Sequence, residues 1–285
     1  MALHPHDLLK GYVEVSSLPM VYYKIDEAIN RPNGSMADIG RIVSEDPGLT
    51  VRLLRMVNSA FYSFPSKIET ITQALIVIGT KQLRDFVLAT SIVNLFQGIP
   101  KDLVSMESFW HHSIACGLAA KTIAKYRRET NIEQFLIAGM VHDIGRLIMY
   151  KKIGDQSRSA LIRCKTSGIP LFLAEQEVIG FDHAQMGRIL LQTWNLPSSL
   201  EEAVAFHHHP LGASRYPVET AVVHIADIMV NGFRWGTSGE RTVPPLKAEA
   251  WERIGLPVSV LPSILNDLRG QVNDVTHSIL NGEQR

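Results

Sequence analysis

Apolar residues recur every three or four positions along almost the whole chain, the spacing of helices that bury one face. Val21 to Asn30 reads as one amphipathic helix, stopped by Pro32-Asn33-Gly34. Ser35, with Asp38 three residues on, reads as a capping box opening Met36 to Ser44. Asp46-Pro47 starts another helix with proline in its first turn, and Leu49, Leu53, Leu54 and Val57 form its stripe. Phe61-Tyr62 is expected to anchor the loop that follows. Thr72 to Ile78 and Lys81 to Leu95 continue the pattern, separated by Gly79.

Gly98-Ile99-Pro100 marks a break, and a second helical series follows. Its members are Met106 to Arg128, Glu133 to Lys151, Gln156 to Ser167, Leu171 to Val178, His183 to Trp194, Ser198 to His208 and Val218 to Phe233. Arg234 to Pro245, with two glycines and paired prolines, reads as an exposed loop; Leu246 to Leu280 reads as two further helices. Strand-like alternation is scarce. The expectation is an all-α, two-lobed multi-helix bundle, divided as 1–98, 99–233 and 234–285.

Composition narrows the function classes. Hydrophobic residues make up 46% of the 285, enough for a sizeable core, and 28 basic residues balance 28 acidic ones. That balance supplies no global positive field for a nucleic acid or an anionic membrane, and neither is expected as a partner. The basic clusters Lys121, Lys125, Arg127, Arg128 and Lys151-Lys152 read as solvated helix ends. No apolar run is long enough to span a bilayer, and the first residues, with Asp7 and Glu14, do not read as a signal peptide. Cys116 and Cys164, without a CxxC, suggest buried thiols in a reducing compartment. A soluble cytoplasmic protein is the expectation.

The candidate chemistry lies in histidine and aspartate. Most of the eleven histidines fall in the second lobe: His111-His112, His142-Asp143, Asp182-His183, His207-His208-His209, then His224 with Asp227. Adjacent helix positions diverge by about 100°, so a His-Asp pair can approach one ion from two sides or set the carboxylate between two ions. Facing helices of a bundle can bring in the remaining ligands. Imidazole plus carboxylate suits iron, manganese, zinc, nickel or magnesium. Singly, each histidine has a plainer reading as a packed or surface residue. His111 reads as a surface neighbour of His112, His209 as a helix end before Pro210, and His224 as a packing residue.

The segments FWHHS, AGMVHDIGRL, GFDHAQMG, TWNLP and FHHHP, in this order, resemble the HDOD branch of the HD superfamily of metal-dependent phosphohydrolases. SEDPGLTVRLLRMVNSAFY and ITQALIVIGTKQLRDFVLA resemble the N-terminal half of that family. The resemblance runs over roughly residues 14 to 230. It implies an HD-type helical domain and a metal pattern of His112, His142-Asp143 and Asp227. The related HD-GYP phosphodiesterases imply further ligands at His183, His207 and His208. Two departures stand out: LGASRYP follows FHHHP in place of a GYP motif, and Arg146 replaces the lysine that often follows HDxG. The first argues against cyclic-di-GMP hydrolysis. The second keeps a cation able to grip phosphate oxygens in a different geometry.

Two functions follow. One is hydrolysis of a phosphoester or nucleotide with divalent ions, in which Asp143 and Arg146 act at the reacting group and Arg188 is a further candidate cation. The other is a non-catalytic signalling domain that retains a metal or ligand pocket and takes a protein partner. A metal-free helical scaffold is the least attractive alternative.

Overall fold

The computed structural model describes residues 3–10, 17–32, 34–59, 62, 64, 66–96 and 98–280, with backbone alone at 277 and 278. Glu14, Asn33 and Phe61, named in the expectations above, lie outside the described residues. The fold is all-α, with no strand among the described residues. The chain forms two compact units, one of residues 18–95 with 269–285 and one of residues 1–17 with 96–268.

The smaller unit holds α1 (Met20–Asn30), α2 (Met36–Ser44), α3 (Pro47–Val57), α4 (Ile71–Ile78) and α5 (Thr80–Leu95). Local chemistry sets their ends. Ser35 and Asp38 form a full capping box on α2, and Thr70 with Gln73 does the same for α4. Asp46 caps α3 by accepting from Leu49 N. Gly79 ends α4 at φ +85°, a conformation that a side chain would oppose. Ile25, Val43, Leu53, Leu75 and Leu83 are buried from their helices' apolar faces.

The larger unit holds α6 (Met106–Tyr126), α7 (Ile132–Val141), α8 (Ile144–Lys152), α9 (Gly154–Ser167), α10 (Leu171–Ile179), α11 (His183–Thr193), α12 (Ser198–Phe206), α13 (Pro217–Phe233) and α14 (Ala248–Ile254). The last helix, α15 (Leu261–Leu280), is shared between the two sets of residues at Leu268. Helices α6, α7 and α13 pack on one another, α11 packs on α8 and α12, and α9 pairs with α10 through Ala160, Cys164, Leu171 and Ala174.

Three sequence expectations change here. Glu133 to Lys151 is two helices, broken at His142-Asp143. The break lets α8 swing against α11, where Gly145 sits so close that a Cβ would lie 2.1 Å from His183 O. The loop of 234–245 is not exposed throughout: Ser238 and Glu240 are buried, because Tyr150 Oη donates to Ser238 O at 2.7 Å and the Glu240 carboxylate accepts from Leu171 N at 2.7 Å. Two of the basic residues also turn inward. Lys121 pairs with Glu133 at 2.8 Å, and Arg127 donates to the Ile254 carbonyl at the end of α14.

Candidate metal centre

Glycine contacts bring the candidate donors together. Gly139 on α7 lies against α6, where a Cβ would meet Cys116 O at 2.6 Å, so the two backbones touch. That approach sets His112, buried on α6, beside His142 at the end of α7. The break after α7 leaves Asp143 as the residue before α8. Asp182 caps α11 by accepting from Gln185 N and starts that helix at His183. His207 and His208 follow the end of α12, and Asp227 sits on α13. These seven side chains are all buried, none above 5% exposed.

They converge. His112 Nε2 lies 3.5 Å from Asp143 Oδ2 and 3.4 Å from Asp227 Oδ1. His142 Nε2 lies 3.2 Å and 3.4 Å from the same two atoms. On the other side, Asp143 Oδ1 lies 2.9 Å from His183 Nε2 and 3.8 Å from His207 Nε2. His183 Nε2 is 3.3 Å from His207 Nε2 and 3.0 Å from His208 Nε2. The donor atoms thus fall into two groups, His112, Cys116, His142 and Asp227 in one and Asp143, His183, His207 and His208 in the other. The two oxygens of Asp143 face the two groups.

The rings are oriented from behind. His142 Nδ1 donates to Gly139 O at 2.7 Å and His207 Nδ1 to Val204 O at 2.8 Å. A carbonyl only accepts, so these nitrogens carry the hydrogen and each ring turns its Nε2 inward. His183 Nδ1 meets Glu175 Oε2 at 2.5 Å, and the same oxygen accepts from His183 N at 3.0 Å. Asn231 Nδ2 donates to Asp227 Oδ1 at 2.7 Å.

Arg146 is held by Asp143 at 2.9 Å, by Glu175 at 3.3 Å and by the Ser238 hydroxyl. Arg188 lies on an exposed face of α11, away from the cluster. His224 accepts from Lys247 N through Nε2 and donates to His207 O through Nδ1, which fixes the backbone that carries His207. Since Lys247 N is a donor, His224 Nε2 accepts and its Nδ1 carries the hydrogen. His111 is only partly buried, and His209 follows the turn after α12.

Charge is crowded. Burial opposes the charged form of His142, but Asp143 and Asp227 outweigh it and push its pKa up to about 10. Burial and Arg146 oppose protonation of His183, yet Glu175 and Asp143 lift it to about 9. Burial and the neighbouring imidazoles drive His207 and His208 well below the usual histidine range. Burial disfavours the carboxylates too, but Arg146, His142 and His183 hold Asp143 well below the usual range, and His112 with His142 does so for Asp227.

This donor set fits a divalent cation. His142 Nε2 and Asp143 Oδ1 are buried, face the cluster and, despite neighbours at 3.2 Å and 2.9 Å, make no well-aligned hydrogen bond. Stranded polar atoms of this kind are costly unless a ligand completes them. Nitrogen, oxygen and one sulfur donor suit first-row divalent metals. Sequence reasoning missed Glu175, which the neighbouring Gln176 and Glu177 disguise as part of a polar stretch, and Ser238, which carried no signal.

The family model of the HDOD domain matches residues 15–210. The chain belongs to the HDOD family. Among solved structures, this HDOD chain is similar to an HDOD domain protein of Geobacter sulfurreducens, with a TM-score of 0.79 and 22% identity over 99% of this chain and 97% of that one. A Shewanella amazonensis SB2B protein provisionally named a phosphohydrolase gives 0.76 and 23%, over 95% and 97%. A Marinobacter aquaeolei VT8 protein provisionally named in signal transduction gives 0.74 and 17%, over 94% and 59%. These likenesses establish the fold. A curated relative from Treponema pallidum (strain Nichols) is 23% identical over 219 residues, which are 76% of this HDOD chain and 42% of that protein. The chain therefore spans less than half the length of that relative.

Proposed function

We propose that the buried cluster holds divalent metal and that the chain is a metal-dependent phosphohydrolase acting on a phosphoester. The observation that supports this reading best is the division of Asp143 between two sets of inward-facing donors. His112, His142 and Asp227 would hold an ion on one side, His183, His207 and His208 on the other, with Asp143 serving both. An ion there supplies a Lewis acid for a phosphoryl oxygen and activates water near neutral pH. The chain's own residues would do the rest. Asp143 would orient the cluster, and Arg146 would neutralise charge growing on the phosphoryl group. His183, held by Glu175 at Nδ1, would turn its Nε2 lone pair to the ion. A cavity of about 800 Å³ beside the 234–243 loop, with Arg234 and Arg241 balanced by Glu107 and Glu240 in its wall, offers room for a substrate. Asn231 joins that wall to Asp227.

A second reading has its own support. Arg146 is already paired with two carboxylates and Ser238, and the seven donors are sealed from water. In that reading the ion ties helices together within a regulatory domain, and a protein partner reads the surface. Elemental analysis of untagged protein and a phosphoester screen with added manganese separate the two. Metal content with turnover lost in Asp143→Ala is the expected result. Metal without turnover on any phosphoester favours the regulatory reading, and protein purified or reconstituted without metal overturns both.

A further inference from the structure

Cys116 follows His112 by one helical turn on α6 and lies on the same face. It is fully buried, and its Sγ is 3.6 Å from His112 Nε2. One donor atom each from His112, Cys116, His142 and Asp227 lies within 4.8 Å of all the others. Three of the six separations match those of tetrahedral coordination. Bonds of about 2.0–2.1 Å to nitrogen or oxygen and about 2.3 Å to sulfur set nitrogen and oxygen donors about 3.3 Å apart, and nitrogen and sulfur about 3.6 Å apart. Here Asp227 Oδ1 is 3.4 Å from both His112 Nε2 and His142 Nε2, and the nitrogen–sulfur distance is 3.6 Å. Independently, His142 Nε2 is buried, aimed at the same group and without a well-aligned hydrogen bond.

We propose that Cys116 is a metal ligand, so that this half of the cluster is a His112, Cys116, His142, Asp227 site for a thiophilic ion of the zinc or iron(II) class. The inference deepens the metal-binding reading above and rests on it. A thiolate donor disfavours magnesium and manganese, which prefer oxygen. Binding exchanges the thiol proton for the ion and releases that proton to solvent. With four donors from this set, Asp143 Oδ2 stays beside it as a further oxygen while Oδ1 faces His183 and His207 of the second group. The sulfur thus separates the halves chemically, one soft and one of nitrogen and oxygen only. A buried cysteine used for packing alone would act as a small apolar residue and have no such spectroscopic signature.

Cobalt(II) provides the test, since a cobalt–thiolate bond has a sulfur-to-metal charge-transfer band in the near ultraviolet. Untagged full-length protein is loaded with cobalt(II) and its spectrum recorded beside those of Cys164→Ser and Cys116→Ser. The chain has two cysteines, so Cys164→Ser leaves only the proposed ligand. The expected result is a band in wild type, unchanged in Cys164→Ser and lost in Cys116→Ser, with cobalt held about tenfold or more less tightly against a competing chelator in the last. Wild type and Cys164→Ser decide the matter even if Cys116→Ser does not fold. Bound cobalt without the band, or a band that disappears in Cys164→Ser, overturns the proposal and leaves the metal-binding reading standing. Protein that takes up no cobalt overturns both.

Discussion

At the scale of single residues, the site depends on what stands behind the ligands. Glu175 touches no candidate donor group except through His183 and Arg146, yet it fixes both. Glu175→Gln keeps the shape, removes the charge and turns one acceptor into a donor. The expected outcome is a loss of about 10–100-fold in affinity for the ion on the His183 side, measured by chelator competition, with helix content unchanged. Protons compete for the same nitrogens. In the metal-free protein His142 and His183 are pushed up to about 10 and about 9, so both carry protons near neutral pH. Their stabilisation of the metal-free fold is complete below the unfolded value of about 6.5 and is lost as pH rises through those raised values. Ion uptake must displace the protons, so apparent affinity rises with pH up to about 10 and falls in acid. Calorimetry in two buffers of different protonation enthalpy is expected to show protons released on binding; uptake without release would contradict the raised values.

At the scale of elements, the helices were legible because their apolar stripes and caps are local signals. Ser35 with Asp38, Asp46 with Pro47, and Gly79 marked ends that the structure keeps. The break at His142-Asp143 was not legible, because no proline marks it and a single aspartate or glycine in an apolar helical pattern is tolerated. Its cause is a contact distant in sequence, between Gly145 and the start of α11. Gly145→Ala tests that cause. The added methyl would lie 2.1 Å from His183 O and 2.6 Å from Gly187 N, both backbone atoms that cannot swing away. The expected cost is about 1–3 kcal/mol in denaturant unfolding, with metal uptake weakened because His183 moves with α11. An unchanged midpoint would mean that the α8–α11 contact does not set the break. Lys121 and Arg127 were misread for the same reason as the break. Their partners, Glu133 and the end of α14, lie elsewhere in the chain, and a basic cluster looks the same whether it meets water or a carboxylate.

At the scale of the whole molecule, the family motifs made the His-Asp set visible before any coordinates, since their order follows the order of the helices. What the motifs did not carry was Cys116 as a neighbour of those groups, the Glu175 support and the inward course of residues 236–242. Each depends on which helix faces meet. No helix among the described residues is long and apolar enough to cross a membrane, in line with the short apolar runs of the sequence.

The course of that loop has a kinetic consequence. Glu240 fastens it at the start of α10, Thr237 N bonds Ser108 at 3.0 Å, and Ser238 closes over Arg146. A bound ion would leave only when this strap unlatches, a local opening that no solute outside can hasten. Metal loss should therefore level off at a fixed rate as chelator is raised, and Glu240→Ala should lift that ceiling without altering how many ions the protein retains. Stopped-flow release into a coloured chelator reads both. The strap would then act as a clock, setting how long the domain keeps a metal after the surrounding supply has gone.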